Sequence, residues 1–131
     1  MLIVSYFVRL IANSLIMKNI FFALLIPFSC LAQNNVCFEN FYAGIGHNGA
    51  SPIVRGNKCY NNIRAGIGIS EGSSPTVTKN RCYENRRAGI GIRTGKDTRP
   101  VVEDNDCFEN DMAGIGTEEE ARPIMRSNRC H

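Results

Sequence analysis

The sequence has no tryptophan and only two histidines, His47 and His131. That composition suits a compact helical domain poorly. With 12 glycines and frequent asparagine, it suits a repetitive, turn-rich chain better. Long apolar runs are lacking as well. Arg9, Asn13 and Lys18 interrupt the first 28 residues, and a membrane span needs about 18 or more apolar residues in a row. No basic stripe of the kind that holds nucleic acid is present. The 131 residues allow one domain at most. A core that thin needs regular stacking or staples.

The first 32 residues differ from the rest, being apolar with only Arg9 and Lys18 as charges. Met17-Lys18-Asn19 opens a signal-peptide pattern, Ile20 to Phe28 is its apolar stretch, and Cys30-Leu31-Ala32 supplies small residues for cleavage. Residues 1–32 are therefore expected to be a cleaved signal segment, with 1–16 as an upstream extension from a wrongly assigned start. Residues 33–131 then form the mature domain, secreted or periplasmic, with no stable transmembrane span. A membrane anchor over residues 1–28 and a lipid-modified Cys30 are the rivals, and Pro27-Phe28-Ser29 fits a lipobox badly. Of the 15 Lys and Arg, Arg9 and Lys18 leave with the signal, so 13 cations face 12 carboxylates in the mature chain.

What is present is a repeat. Ala43-Gly44-Ile45-Gly46 recurs as Ala65-Gly66-Ile67-Gly68, Ala88-Gly89-Ile90-Gly91 and Ala113-Gly114-Ile115-Gly116. Each is followed by a Pro, an Asn and a Cys, and the cysteines at 37, 59, 82, 107 and 130 are spaced 22, 23, 25 and 23 residues apart. The period is too short for helical repeats, and the leucine ladder of leucine-rich repeats is absent. The additions fall at one corner, as in Arg93 to Arg99, which a solenoid tolerates.

Three short segments per repeat alternate with period two. Val54, Val77, Val102 and Met125 centre the first, cysteine centres the second, and Ala65, Ile67 and Ile69 alternate with Gly66 and Gly68 in the third. Three strands and three corners make one rung of a parallel β-helix, and rungs stack at about 4.8 Å. Val77, Cys82, Ala88 and Ile90 are expected to face inward. Asn35, Asn57, Asn80, Asn105 and Asn128, with Asn40, Asn62, Asn85 and Asn110, read as corner residues. Asparagine tolerates left-handed backbone, and its amide can bond the corner or the next rung.

Pro75-Thr76-Val77-Thr78-Lys79-Asn80-Arg81-Cys82-Tyr83-Glu84-Asn85 and Ala88-Gly89-Ile90-Gly91-Ile92 carry a resemblance. Over residues 35–130 the chain resembles the right-handed parallel β-helix repeat family. That family is pectate-lyase-like, with Asn-rich members in periplasmic copper-maturation proteins and in carbohydrate-binding and sugar-hydrolase domains. The resemblance implies an all-β solenoid of about four coils of 22–25 residues. It leaves function open, because this fold carries both enzymes and binding proteins. Lyases of the fold need clustered Asp for calcium and a basic catalytic residue. Asp104, Asp106, Arg81 and Arg86 are the only local candidates, and no catalytic residue, metal or cofactor carries over.

The five repeat cysteines stand where Val or Ile would stand, and a buried thiol packs as a small hydrophobe. A reduced ladder, one or two rung-to-rung disulfides, and a soft-metal site near His131 are the three readings. Gly66, Gly68, Gly89 and Gly91 form a strip without side chains, read as outward. It either satisfies local twist or lets a ligand lie flat. Phe38, Tyr60, Tyr83 and Phe108 follow each cysteine and point outward, as a packing ladder or a platform for sugar faces. Glu39, Glu84 and Glu109 form an acidic column, with Asn61 on the remaining rung. Adjacent carboxylates there approach the spacing that retaining glycosidases use, but repetition makes such pairs automatically.

The resulting expectation is a noncatalytic recognition or structural module for a polysaccharide or envelope protein, with no nucleic-acid partner. A polysaccharide lyase or glycoside hydrolase, or a fragment of one, is the alternative. The chain stops at Cys130-His131 with no capping segment. Self-association through uncapped ends, or a truncated reading frame, is the corresponding expectation.

Overall fold

The computed structural model describes residues 30–131. Most of the expected signal segment lies outside them. Fourteen short strands and no helix make up the described chain. They stack as three parallel sheets. The first is β1 (Leu31–Gln33), β4 (Ile53–Arg55), β7 (Thr76–Thr78), β10 (Val101–Glu103) and β13 (Ile124–Arg126). The second is β2 (Val36–Phe38), β5 (Lys58–Tyr60), β8 (Arg81–Tyr83), β11 (Asp106–Phe108) and β14 (Arg129–Cys130). The third is β3 (Ile45–His47), β6 (Ile67–Ile69), β9 (Ala88–Ile92) and β12 (Ala113–Thr117). Each strand pairs with the strand one repeat away. The chain is a β-solenoid of about four turns.

The register is like on like. Val54 pairs with Val77 and Val77 with Val102. Cys37, Cys59, Cys82, Cys107 and Cys130 form one unbroken column. Ile67 pairs with Ile90, and Ile69 with Ile92. These valines, cysteines and isoleucines of the middle rungs are sealed from solvent and form one core. A one-residue slip would turn every ladder outward, so burial fixes the register. Strand β1 crosses the boundary expected at Ala32-Gln33, pairing Ala32 with Val54.

Asparagine holds two of the corners. In one ladder, the Asn57 backbone N–H and Nδ2 both donate to Asn80 Oδ1 at 2.9 Å. Asn80 repeats this to Asn105 at 3.0 Å, and Asn105 to Asn128. The second ladder runs through Asn40, Asn62, Asn85 and Asn110. Each interior amide also donates to a carbonyl one rung back, as Asn80 Nδ2 does to Val54 O at 2.9 Å. Its two donors and two lone pairs are then filled, which makes burial tolerable. The left-handed residue is not the ladder Asn but the residue before it. Asn34, Lys79, Asp104 and Ser127 precede one ladder, and Glu39, Asn61, Glu84 and Glu109 precede the other, all with φ between 50° and 56°.

One part of the expected pattern is corrected. The Ala-Gly-Ile-Gly run does not alternate along its whole length. A Cβ on Gly66 would lie 2.8 Å from Gly89 O, 2.9 Å from Asn85 Nδ2 and 3.1 Å from Cys82 Cβ, so Gly66 faces the interior. Gly89 meets the equivalent atoms of the next rung, with Gly114 O at 2.7 Å. Ile67 and Ile90 also face inward, so two consecutive residues point to the core. The alanine before them is turned out. Ala65 and Ala88 are covered but lie outside the core cluster.

Candidate functional site

That turn creates a concave face on the third sheet. Ala43, Ala65, Ala88 and Ala113 line it together with Gly46, Gly68, Gly91 and Gly116. A Cβ on Gly68 would sit 3.3 Å from Ala43 Cβ, and one on Gly91 would sit 3.3 Å from Ala65 Cβ. The missing side chains therefore keep the floor open. The result is a groove of about 410 Å³ that runs across four rungs. Tyr42, Arg64, Arg87 and Met112 form one wall, and Ser70, Arg93 and Glu118 line the other. Of the four glycines expected to form an outward strip, Gly68 and Gly91 lie on the groove floor. Gly66 and Gly89 do not.

The aromatic column stands on the second sheet. Phe38 and Tyr60 have ring centroids 5.2 Å apart, Tyr60 and Tyr83 5.0 Å, and Tyr83 and Phe108 4.9 Å, with planes within 6° of parallel. His131 extends the stack, 5.5 Å from Phe108. A sugar stacks on a ring face, but each interior ring has both faces against its neighbours. Only edges reach solvent. Tyr60, Tyr83 and Phe108 thus stack face to face on their neighbours, as a packing ladder does. Arg81 adds to it, its guanidinium 5.2 Å from the Phe108 centroid. Asp106 holds that cation at 3.6 Å, with Arg129 at 3.2 Å and His131 at 3.4 Å. Partial burial pushes the Asp106 carboxyl up, and Arg129 and His131 more than offset this, leaving it below the ordinary value.

The repeat cysteines are all free thiols. Hydrogen bonding of the protonated Cys82 thiol with Cys107 and Cys59, then burial, pushes that thiol well up. The hydrogen bond from Cys82 draws Cys59 the other way. We assign both as protonated, because a thiolate among Val and Ile would have no counter-charge. They are core atoms, not nucleophiles. Among the described residues no group of three or more His, Cys, Asp or Glu is placed to hold a metal ion. Glu39 and Glu84 border a second, smaller recess of about 340 Å³ with Asn61, Ile63 and Arg86.

A family model described as a right-handed β-helix region matches residues 9–131. The chain belongs to this family. Comparison with the curated proteins and with the solved structures finds no match. This β-helix carries three features that the sequence reading missed. His47 pairs with Ile69, so an imidazole occupies an inward position, and neither ring nitrogen has a partner. Reading one residue past Gly46 would have found it. His131 continues the ring column because it too follows a repeat cysteine. The arginine wall was legible only in hindsight, since Arg64 and Arg87 stand directly before Ala65 and Ala88.

Proposed function

We propose that this β-helix is a noncatalytic exported recognition module that binds an extended ligand, a glycan or a protein of the cell envelope, along the groove of its third sheet. The observation that carries the reading is the groove itself, an open trough whose floor is kept clear by one glycine and one alanine per rung. Its repeat at rung spacing suits a ligand that is itself repetitive. The flat faces of sugar rings fit a floor without side chains. The noncatalytic reading rests on the lining, where Glu118 is the one carboxylate and no histidine or cysteine is present. A hydrolase would need a second carboxylate across the scissile bond.

A glycan array together with a soluble polysaccharide panel tests the proposal. Gly91 has no left-handed φ, so Gly91→Leu fills the groove without backbone strain. The parent should bind at least one glycan or envelope protein, and folded Gly91→Leu should not. Equal binding by both, or cleavage of the ligand by the parent, would overturn the proposal.

A further inference from the structure

The groove is charged on both walls. Arg64 and Arg87 stand one rung apart on the first, and Arg93 faces them from the second. None of the three takes part in a salt bridge among the described residues. Arg64 lies over the Tyr42 ring at 4.9 Å, which sets its guanidinium at the lip of the trough. In the third coil, Arg87 and Arg93 bracket the five residues of β9, and Ala88 and Gly91 between them give an uncharged floor. The groove's one carboxylate, Glu118, lies a rung away and accepts the Thr94 N–H at 3.3 Å. The middle of the trough therefore carries three positive charges above an apolar floor. Carboxylates and sulfates are the partners that arginine binds most strongly.

We infer that the groove selects an acidic glycan, whose carboxylate or sulfate substituents meet Arg64, Arg87 and Arg93 while its rings lie on the Ala-Gly floor. This rests on the proposed use of the groove for binding. A glycan is favoured over an acidic peptide by the floor's own hydrogen bonding. The backbone of the third sheet bonds from rung to rung, as Gly66 N–H does to Ala88 O at 3.2 Å. A peptide laid along the trough would find few free partners for its amides. A sugar ring needs none on its C–H face.

The test uses one glucan backbone in three forms, neutral, carboxymethylated and sulfated, plus polyglutamate, each titrated against the chain. The two charged glucans should bind about tenfold or more tighter than the neutral one. Arg87→Gln with Arg93→Gln should remove that preference and flatten the salt dependence, while Arg126→Gln, on the first sheet, should change neither. The ratio between carboxymethylated and sulfated forms then tells which anion the arginines prefer. If all three glucans bind equally and Gly91→Leu abolishes binding, the charge inference is overturned and the groove reading stands. If no glucan binds, the charge inference is overturned, while the groove reading stands or falls on the glycan array and its Gly91→Leu control. Polyglutamate binding as tightly as the charged glucans would overturn the choice of a glycan, and an equal loss in Arg126→Gln would reduce the effect to unspecific charge.

Discussion

Replacing Asn80 by alanine should remove a large share of the stability that the corner ladder supplies. The Asn80 side chain makes four hydrogen bonds. Its Oδ1 accepts from the Asn57 backbone N–H and Nδ2, and its Nδ2 donates to Val54 O and Asn105 Oδ1. After the substitution the Asn57 backbone N–H, sealed in the interior, has no acceptor. Orphaning one buried donor costs about 1–3 kcal/mol. The other three groups keep a second partner, as Asn57 Nδ2 keeps Ala32 O and Asn105 Oδ1 keeps the Asn80 N–H. Each of those losses is worth about 1 kcal/mol. The sum is about 4–6 kcal/mol, against a domain stability of about 5–15 kcal/mol. Tm should fall by about 16 °C or more. Asn128→Ala is the control. It removes three ladder bonds from a half-buried position, where water can take the vacated places, so it should lose about 1 kcal/mol. Urea unfolding followed by far-UV circular dichroism measures both. Equal losses at the two positions, or less than about 1 kcal/mol at Asn80, would refute the account of the ladder.

The two glycine columns should respond in opposite ways. Gly89→Ala drives a methyl to 2.7 Å from Gly114 O, forcing rungs apart at about 1–3 kcal/mol, whereas Gly91→Ala meets only the Ala65 methyl at 3.3 Å and should stay near the parent in thermal melts. Cys82→Val should hold stability within about 1.5 kcal/mol, while Cys82→Asp buries a carboxylate without a partner and should leave no cooperative melt. Burial holds the His47 imidazole below its ordinary pKa of 6.5, so the unfolded chain takes up the proton first as pH falls. Stability should therefore be full above that value, decline as pH drops through it towards the folded pKa, and level off below. His47→Ile should abolish this decline between urea midpoints taken at about pH 8 and pH 5.

The ladders were readable in the sequence because identical residues at a constant period leave a parallel, in-register stack as the way to bury them together. Val54, Val77 and Val102 each precede a repeat cysteine by five positions, and so does Ala32, which is how β1 could have been found. The groove was not readable, because glycine hides its own orientation. Period two put Gly66 and Gly68 on one face. The chain turns between them instead, and the Cys82 and Asn85 atoms behind Gly66 show which side it occupies. The fate of the aromatic column depended on ring orientation. Spacing alone permits a platform as readily as a stack, and the near-parallel planes that show the stack are seen only in the structure.

Like-on-like register has a genetic consequence. The interface between the middle coils presents like-on-like valine, cysteine, isoleucine and asparagine contacts, so a middle coil recognises its neighbour by type rather than by position. Unequal crossing-over between two middle copies of the repeat would add or delete one coil and leave the junctions beside it chemically similar. The groove would lengthen or shorten by one rung in the same event. Under the proposed binding role, ligand length would then be a trait that drifts with repeat copy number, independently of the point substitutions at Arg64, Arg87 and Arg93 that would alter ligand charge.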